Sequence, residues 1–208
     1  MKLIKVLNHM KLIKRLNIVT LLSFIFTMIG SIPLLAQPKW EQNLEQEIIN
    51  KLKELTELRQ NLANTIVNKR ADEIDETIFK NVCAPVGVAL QNWANEKGFE
   101  AFQKSHKARN PQNVLPSQYQ KFLSQFQNKA KRPTHITQHA HTESGNTVLE
   151  IIYPIYVVSS CLKCHGKAED RPAFIKSKYP NDLAYNFRDG DLRGFFLIRA
   201  PLTNKANP

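Results

Sequence analysis

Methionine is almost absent, and its three copies, Met1, Met10 and Met28, all fall within the first 36 residues. Those residues read as a targeting segment. Lys11, Lys14 and Arg15 make a basic start, Ile18 to Ile29 carries no charge, and Leu34-Leu35-Ala36 ends on a small residue suited to cleavage. The opening Met1-Lys-Leu-Ile-Lys recurs at Met10 to Lys14, which makes Met10 an alternative start. A rival reading keeps Leu16 to Leu35 as an uncleaved anchor, since about 20 apolar residues span a bilayer. Gly30 and Pro33 interrupt that run and favour a cleaved signal over residues 1–36. The 172 residues left after Ala36 contain no methionine, so no thioether from that side chain is available as a metal ligand.

Acidic residues are also few, 18 against 29 Lys and Arg, for a formal charge of +11. Five of the basic residues leave with the signal, which lowers the charge of the mature chain to +6. What remains is scattered. No arginine-rich helix or basic stripe interleaved with aromatics is present, which excludes nucleic acid as an expected partner. Internal repeats and low-complexity tracts are missing from the mature chain. So are paired carboxylates or a nucleophile–base pair near the cysteines, and no enzymatic activity is expected.

What is present divides into a long helix over residues 37–71 and a domain over 72–208. Leu44, Ile48, Leu52, Leu55, Leu58, Leu62 and Ile66 recur at three- and four-residue steps, which predicts an amphipathic helix from Glu41 to Ala71. It would be about 45 Å long, with a protruding end suited to helix-mediated association with a partner. Asp72, Glu73, Asp75 and Glu76 suit the start of a second helix. Pro85 must kink that helix or open a new one. Gly98 caps the helix, a loop runs through Arg109-Asn110-Pro111, and Pro116 opens a third. The period then changes to two. Thr134 to Thr142 alternates as a strand, Glu143 to Asn146 is a turn, Thr147 to Val158 is β-rich, and Phe195 to Ala200 is a last strand. Pro154 places part of its strand at an edge or bulge. Helices followed by an antiparallel sheet predict an α+β fold.

The chemistry sits in Cys161-Leu162-Lys163-Cys164-His165, the attachment sequence for haem c. Two thiols at this spacing add to the two vinyl groups of one porphyrin, and the adjacent histidine supplies the fifth iron ligand. Gly166 then lets the chain pass close to the ring. One covalent haem per chain is the expectation, and export fits it, because haem c is assembled outside the cytoplasm. Three other readings use the same cysteines. A thioredoxin-like pair belongs at a helix start in a βαβ context, which is missing. A zinc site would need two more ligands, such as His135, His139 or His141. A structural disulfide is open to any exported cysteine.

The sixth iron ligand has five candidates, Cys83, His106, His135, His139 and His141, besides an open position. Cys83 is the leftover cysteine, on the apolar side of its helix and two residues before Pro85. A helix N-terminus there would favour the thiolate, whereas a lone cysteine is commonly an inert buried one. His135, His139 and His141 alternate on one strand face with Thr137, opposite Ile136 and Ala140, and read as solvated. His106 lies among Lys104, Lys107 and Arg109 and reads as a surface residue. Arg109 and Arg193 are candidates to meet the haem propionates.

Cys83-Ala84-Pro85, Arg109-Asn110-Pro111 with Asn113, the motif Cys161 to Gly166, Tyr179 to Asp182 and Gly190 to Gly194 together resemble a family of c-type haem proteins. These have a PAS-like fold and occur in cyanobacteria and other bacteria. The resemblance implies a PAS-like antiparallel sheet, with His165 and the Cys83 sulfur as the two axial ligands. It places the chain in the periplasm or thylakoid lumen. Asn186 departs from the family's glycine, but asparagine tolerates a left-handed backbone. A thiolate ligand favours ferric iron and a low potential. The expected role is a redox or gas sensor, with a gas ligand admitted after reduction if Cys83 leaves. The alternative is electron transfer. A redox or signalling protein is the expected partner.

Overall fold

The protein was described from a computed structural model, which covers residues 37–67 and 74–202. The expected targeting segment and the expected helix start at Asp72 lie outside the described residues. Helix α1 spans Lys39–Leu62 and continues as a π-helical turn, Ala63–Val67, so the long helix begins two residues before its predicted start. It buries Ile48, Leu52 and Leu55 of the stripe that the periodicity marked, and Ile49 beside them. Helix α2, Glu76–Val82, begins at Asp75, whose carboxylate accepts the Ile78 amide at 2.8 Å. A carboxylate in that position satisfies an amide the helix cannot.

Cys83 is both the end of α2 and the start of α3, Ala84–Lys97. Pro85 sits in the first turn of α3, where its missing N–H costs nothing, and it could not have continued α2. Gly98, at φ 70°, ends α3 in the left-handed region that glycine enters without strain. The chain turns directly into an unanticipated strand, β1, Glu100–Lys104. Only Ala101 of β1 is buried, so the strand carried no alternating apolar signal. Pro116 opens a helical segment as expected, but a 3-10 one, Ser117–Phe122, before α4, Leu123–Gln127.

Strands β2 (Ile136–His141), β3 (Thr147–Tyr156) and β4 (Leu192–Pro201) join β1 in a sheet of order β1-β4-β3-β2 with every pair antiparallel. The central strands are buried on both faces. Leu149, Ile151, Ile155, Phe196, Ile198 and Ala200 pack under α1 and α3, while Ile152, Phe195 and Leu197 pack on Tyr119, Phe122 and Phe126. Those two sets alternate along each strand, as a period of two requires. The fold is α+β. Pairing with β2 stops at Ile136↔Ile152, so Pro154 lies where β3 overhangs its neighbour, next to a register shift at Ile155/Tyr156. An imino acid is tolerated there because one side of the strand is unpaired. Among the described residues no helix is long and apolar enough to cross a membrane.

Candidate haem site

The cysteine motif leaves the end of β3 through a 3-10 turn, Ser159–Cys161, and forms a single helical turn, α5, Leu162–His165. Its neighbourhood is an antiparallel sheet, so the βαβ context of a thioredoxin-like pair is missing. Gly166 closes the turn by donating to the Leu162 carbonyl at 2.7 Å. A Cβ at this position would lie 2.5 Å from that same oxygen. The glycine is therefore demanded by the motif's own turn.

A second loop clamps the motif. The Phe187 amide donates to the His165 carbonyl at 3.1 Å and the Asn186 amide to Gly166 at 2.6 Å. Asn186 has φ 56°, the left-handed backbone its side chain was expected to tolerate. The His165 ring completes the clamp, with Nδ1 2.7 Å from the Ala184 carbonyl oxygen. A carbonyl can only accept, so Nδ1 carries the proton and Nε2 keeps its lone pair. This is how ligating histidines are commonly oriented. Nδ1 also lies 3.4 Å from Arg109 Nη2, a contact between two donors and hence unfavourable. Burial, then the Arg193 and Arg109 charges, hold the imidazole well below its usual pKa and keep it neutral.

Arg109 fastens the motif. Its Nε donates to Asp182 Oδ2 at 3.2 Å and its Nη2 to the Cys164 carbonyl at 2.8 Å. Asp182 is buried, takes Arg171 Nη1 at 2.8 Å on the same oxygen, and accepts the Ala184 amide at 2.8 Å on the other. Arg109 is thus a buried strut, and the propionate contact expected of it would compete with donors already in use. Arg193 is freer. Its Nη1 donates to Ser105 Oγ at 2.6 Å and to the Lys107 carbonyl at 3.1 Å, both neutral acceptors. Burial, then the Arg109 charge, pulls its pKa down to about 10.

Cys161, Cys164, His165, Cys83, Arg109 and Arg193 all line one mainly apolar cavity of about 340 Å³, within the range of small-molecule sites. Ile78, Phe79 and Val82 of α2 and Ile155 of β3 supply apolar walls. Cys83 is exposed, where an apolar face had been expected, because the break between α2 and α3 leaves its side chain uncovered toward the cavity. All three thiols are free. Burial pushes Cys164 up to about 11 and raises Cys161 as well. A thioredoxin-type nucleophile needs the opposite shift. Among the described residues no group of three or more His, Cys, Asp or Glu side chains could hold a metal ion, which leaves the zinc reading without support.

The other histidines lie elsewhere. His135 Nε2 is 3.0 Å from Glu45 and His139 Nε2 is 2.7 Å from Glu41, both on α1. The strand face expected to be solvated is partly covered by that helix: His135 is half-buried, whereas His139 and His141 stay exposed. His106 is half-buried and not a surface residue. Its ring stands 6.2 Å from Phe187, and its Nδ1 is buried without a hydrogen-bond partner.

The haem fits this donor set. Two thiols and an imidazole on one turn, a third thiol at a helix break and apolar walls between them match a porphyrin iron's needs. A family model, Tll0287-like, matches residues 37–201. The chain belongs to the Tll0287-like family. Among solved structures it is similar to the crystal structure of the cyanobacterial heme-protein Tll0287. The TM-score is 0.65 and the identity 33%, over 79% of this chain and 98% of that one. No curated protein matches.

In this Tll0287-like chain the sequence reading missed one cavity residue, Arg59. Its Nη2 donates to Gln103 Oε1 at 2.6 Å, and its Nε is buried with no acceptor. A signal was available. Leu52, Leu55, Arg59 and Ala63 fall at helical steps of three and four, so a guanidinium sits on the buried stripe of α1.

Proposed function

We propose that this chain is an exported protein carrying one covalent haem c, and that it serves as a low-potential redox or gas sensor and not as an enzyme. Cys161 and Cys164 hold the porphyrin, His165 Nε2 binds the iron on one side, and the Cys83 sulfur binds it on the other. The sheet is of the PAS-like kind, and the compartment is the periplasm or thylakoid lumen. The observation that carries the reading is the His165 ring, fixed by the Ala184 carbonyl so that Nε2 is free, in the same cavity as Cys83. The relative described as a cyanobacterial heme-protein adds to it.

Bound haem c supplies a one-electron ferric/ferrous couple. The residues set its character. A cysteine sulfur donates charge and favours the ferric state, which lowers the potential. Cys83 stands at the joint of α2 and α3, so any change in its bonding bears directly on the relation between those two helices. That joint is the element a partner would read in a sensor. Electron transfer is the alternative, and potentiometry with carbon monoxide titration separates the two. Cys83→Ser tests the ligand set in the holoprotein. The ferric absorption bands should shift and the potential should rise; unchanged ferric and ferrous spectra would remove Cys83 from the iron.

A further inference from the structure

The cavity carries a charge imbalance that the fold does not answer. Among the described residues, its walls hold Arg59, Lys104, Arg109 and Arg193 but no aspartate or glutamate. Arg109 is matched by Asp182. Lys104 reaches the Gln112 carbonyl at 2.7 Å at an exposed position. Arg59 and Arg193 have neutral acceptors only, Gln103 for the first and Ser105 with the Lys107 carbonyl for the second. The Arg59 Nε has none. A guanidinium withdrawn from water without an anion forfeits hydration and gains little in return.

Both groups are also held in place. Arg59 lies over the Phe196 ring at 5.2 Å and Arg193 over Phe187 at 5.5 Å. A planar fork fixed by an aromatic face and one or two neutral hydrogen bonds still has donors to spare, in the geometry that a carboxylate accepts. The two come from distant parts of the chain, α1 and β4, and meet only at this cavity. An occupant must therefore bring negative charge on a body large and apolar enough to fill the remaining walls.

We propose that Arg59 and Arg193 are the carboxylate receptors of the cavity, pairing with the two propionates of the porphyrin. The assignment rests on the haem reading above. It gives Arg193 a role with a partner and brings in Arg59. Arg109 stays a positioning residue for His165.

The test uses the full chain purified without haem. It is titrated with iron mesoporphyrin, which lacks vinyl groups and cannot be trapped by the cysteines, and with the dimethyl ester of the same compound. Absorbance reads binding in each case. The ester should bind more weakly by on the order of tenfold or more, since each charge-assisted hydrogen bond lost is worth about that factor. Arg59→Met should narrow the gap between acid and ester while leaving the ester's affinity unchanged, and Arg59→Lys should restore part of it. Arg193→Met should act alike; Arg59→Met decides the matter if Arg193→Met fails to fold. Equal affinity of the native chain for acid and ester overturns the assignment and leaves the haem reading standing. Failure of both porphyrins to bind overturns the haem reading, and this assignment with it.

Discussion

Strands β3 and β4 meet an arginine network at each end, and the two are solved differently. At one end Glu150 of β3 lies beside Arg199 of β4, its paired residue. Glu150 accepts Arg199 Nε at 2.9 Å, Tyr119 Oη at 2.5 Å and Gln138 Nε2 at 2.7 Å. Every charge there has an opposite charge, and Arg199 also donates to Tyr119 Oη at 2.9 Å. At the other end, beside the motif, Asp182 serves Arg109 and Arg171, but Arg193 and Arg59 are given no carboxylate. A closed network holds a fold together. An open one, facing a cavity, has been left with capacity to bind.

The contrast is sharpest at Asp182, whose side chain is fully buried between two arginines. Asp182→Ala leaves both guanidiniums uncompensated and should cost about 3–5 kcal/mol in urea unfolding, the range for breaking a buried pair. It should also free the loop that orients His165. A loss below about 1 kcal/mol would mean that water reaches both arginines and the clamp is not structural.

At the closed end, Glu150→Ala should cost less, about 2–3 kcal/mol, because Arg199 is partly exposed and can turn to solvent. A pH dependence belongs to the same network. Burial, then the hydrogen bond to Glu150, raises the Tyr119 phenol from 10.0 to about 12. The folded state therefore keeps a proton that the unfolded chain loses. Its contribution is whole below pH 10 and is lost as pH rises from 10 toward 12. Tyr119→Phe should flatten the fall in stability over that window, as read by unfolding at successive pH values.

The smallest effect is expected where the network is open. Arg59→Met in the haem-free chain should change stability by less than about 1 kcal/mol, or raise it, since no anion loses its partner. A loss as large as that of Asp182→Ala would show that Arg59 belongs to the fold, and the contrast between the two ends would fail.

Much of the site was legible. The cysteine motif needs its spacing and nothing else, and the break at Pro85 follows from a missing amide proton. The helical stripe of α1 and the alternation of β3 follow from periodicity. Other features left no such trace. Strand β1 buries one side chain, so nothing in Glu100–Lys104 marks it, yet it pairs with β4 along its whole length. His106 stands among basic residues and looked solvated, but it is half-buried beside Phe187, which is distant in the chain. Arg109 looked like a loop arginine because its partners, Asp182 and the Cys164 carbonyl, are distant in the chain.

The sequence by itself determined which thiols stand together with an imidazole. Cys161, Cys164 and His165 are neighbours along the chain, and no methionine follows residue 36 to compete as a ligand. Tertiary structure alone decided which charges face the cavity with a partner and which without one. Pairing of buried charges depends on distances between residues far apart in the chain, and no local pattern encodes them. Arg59 and Arg193 became a pair only when α1 and β4 met at the same wall.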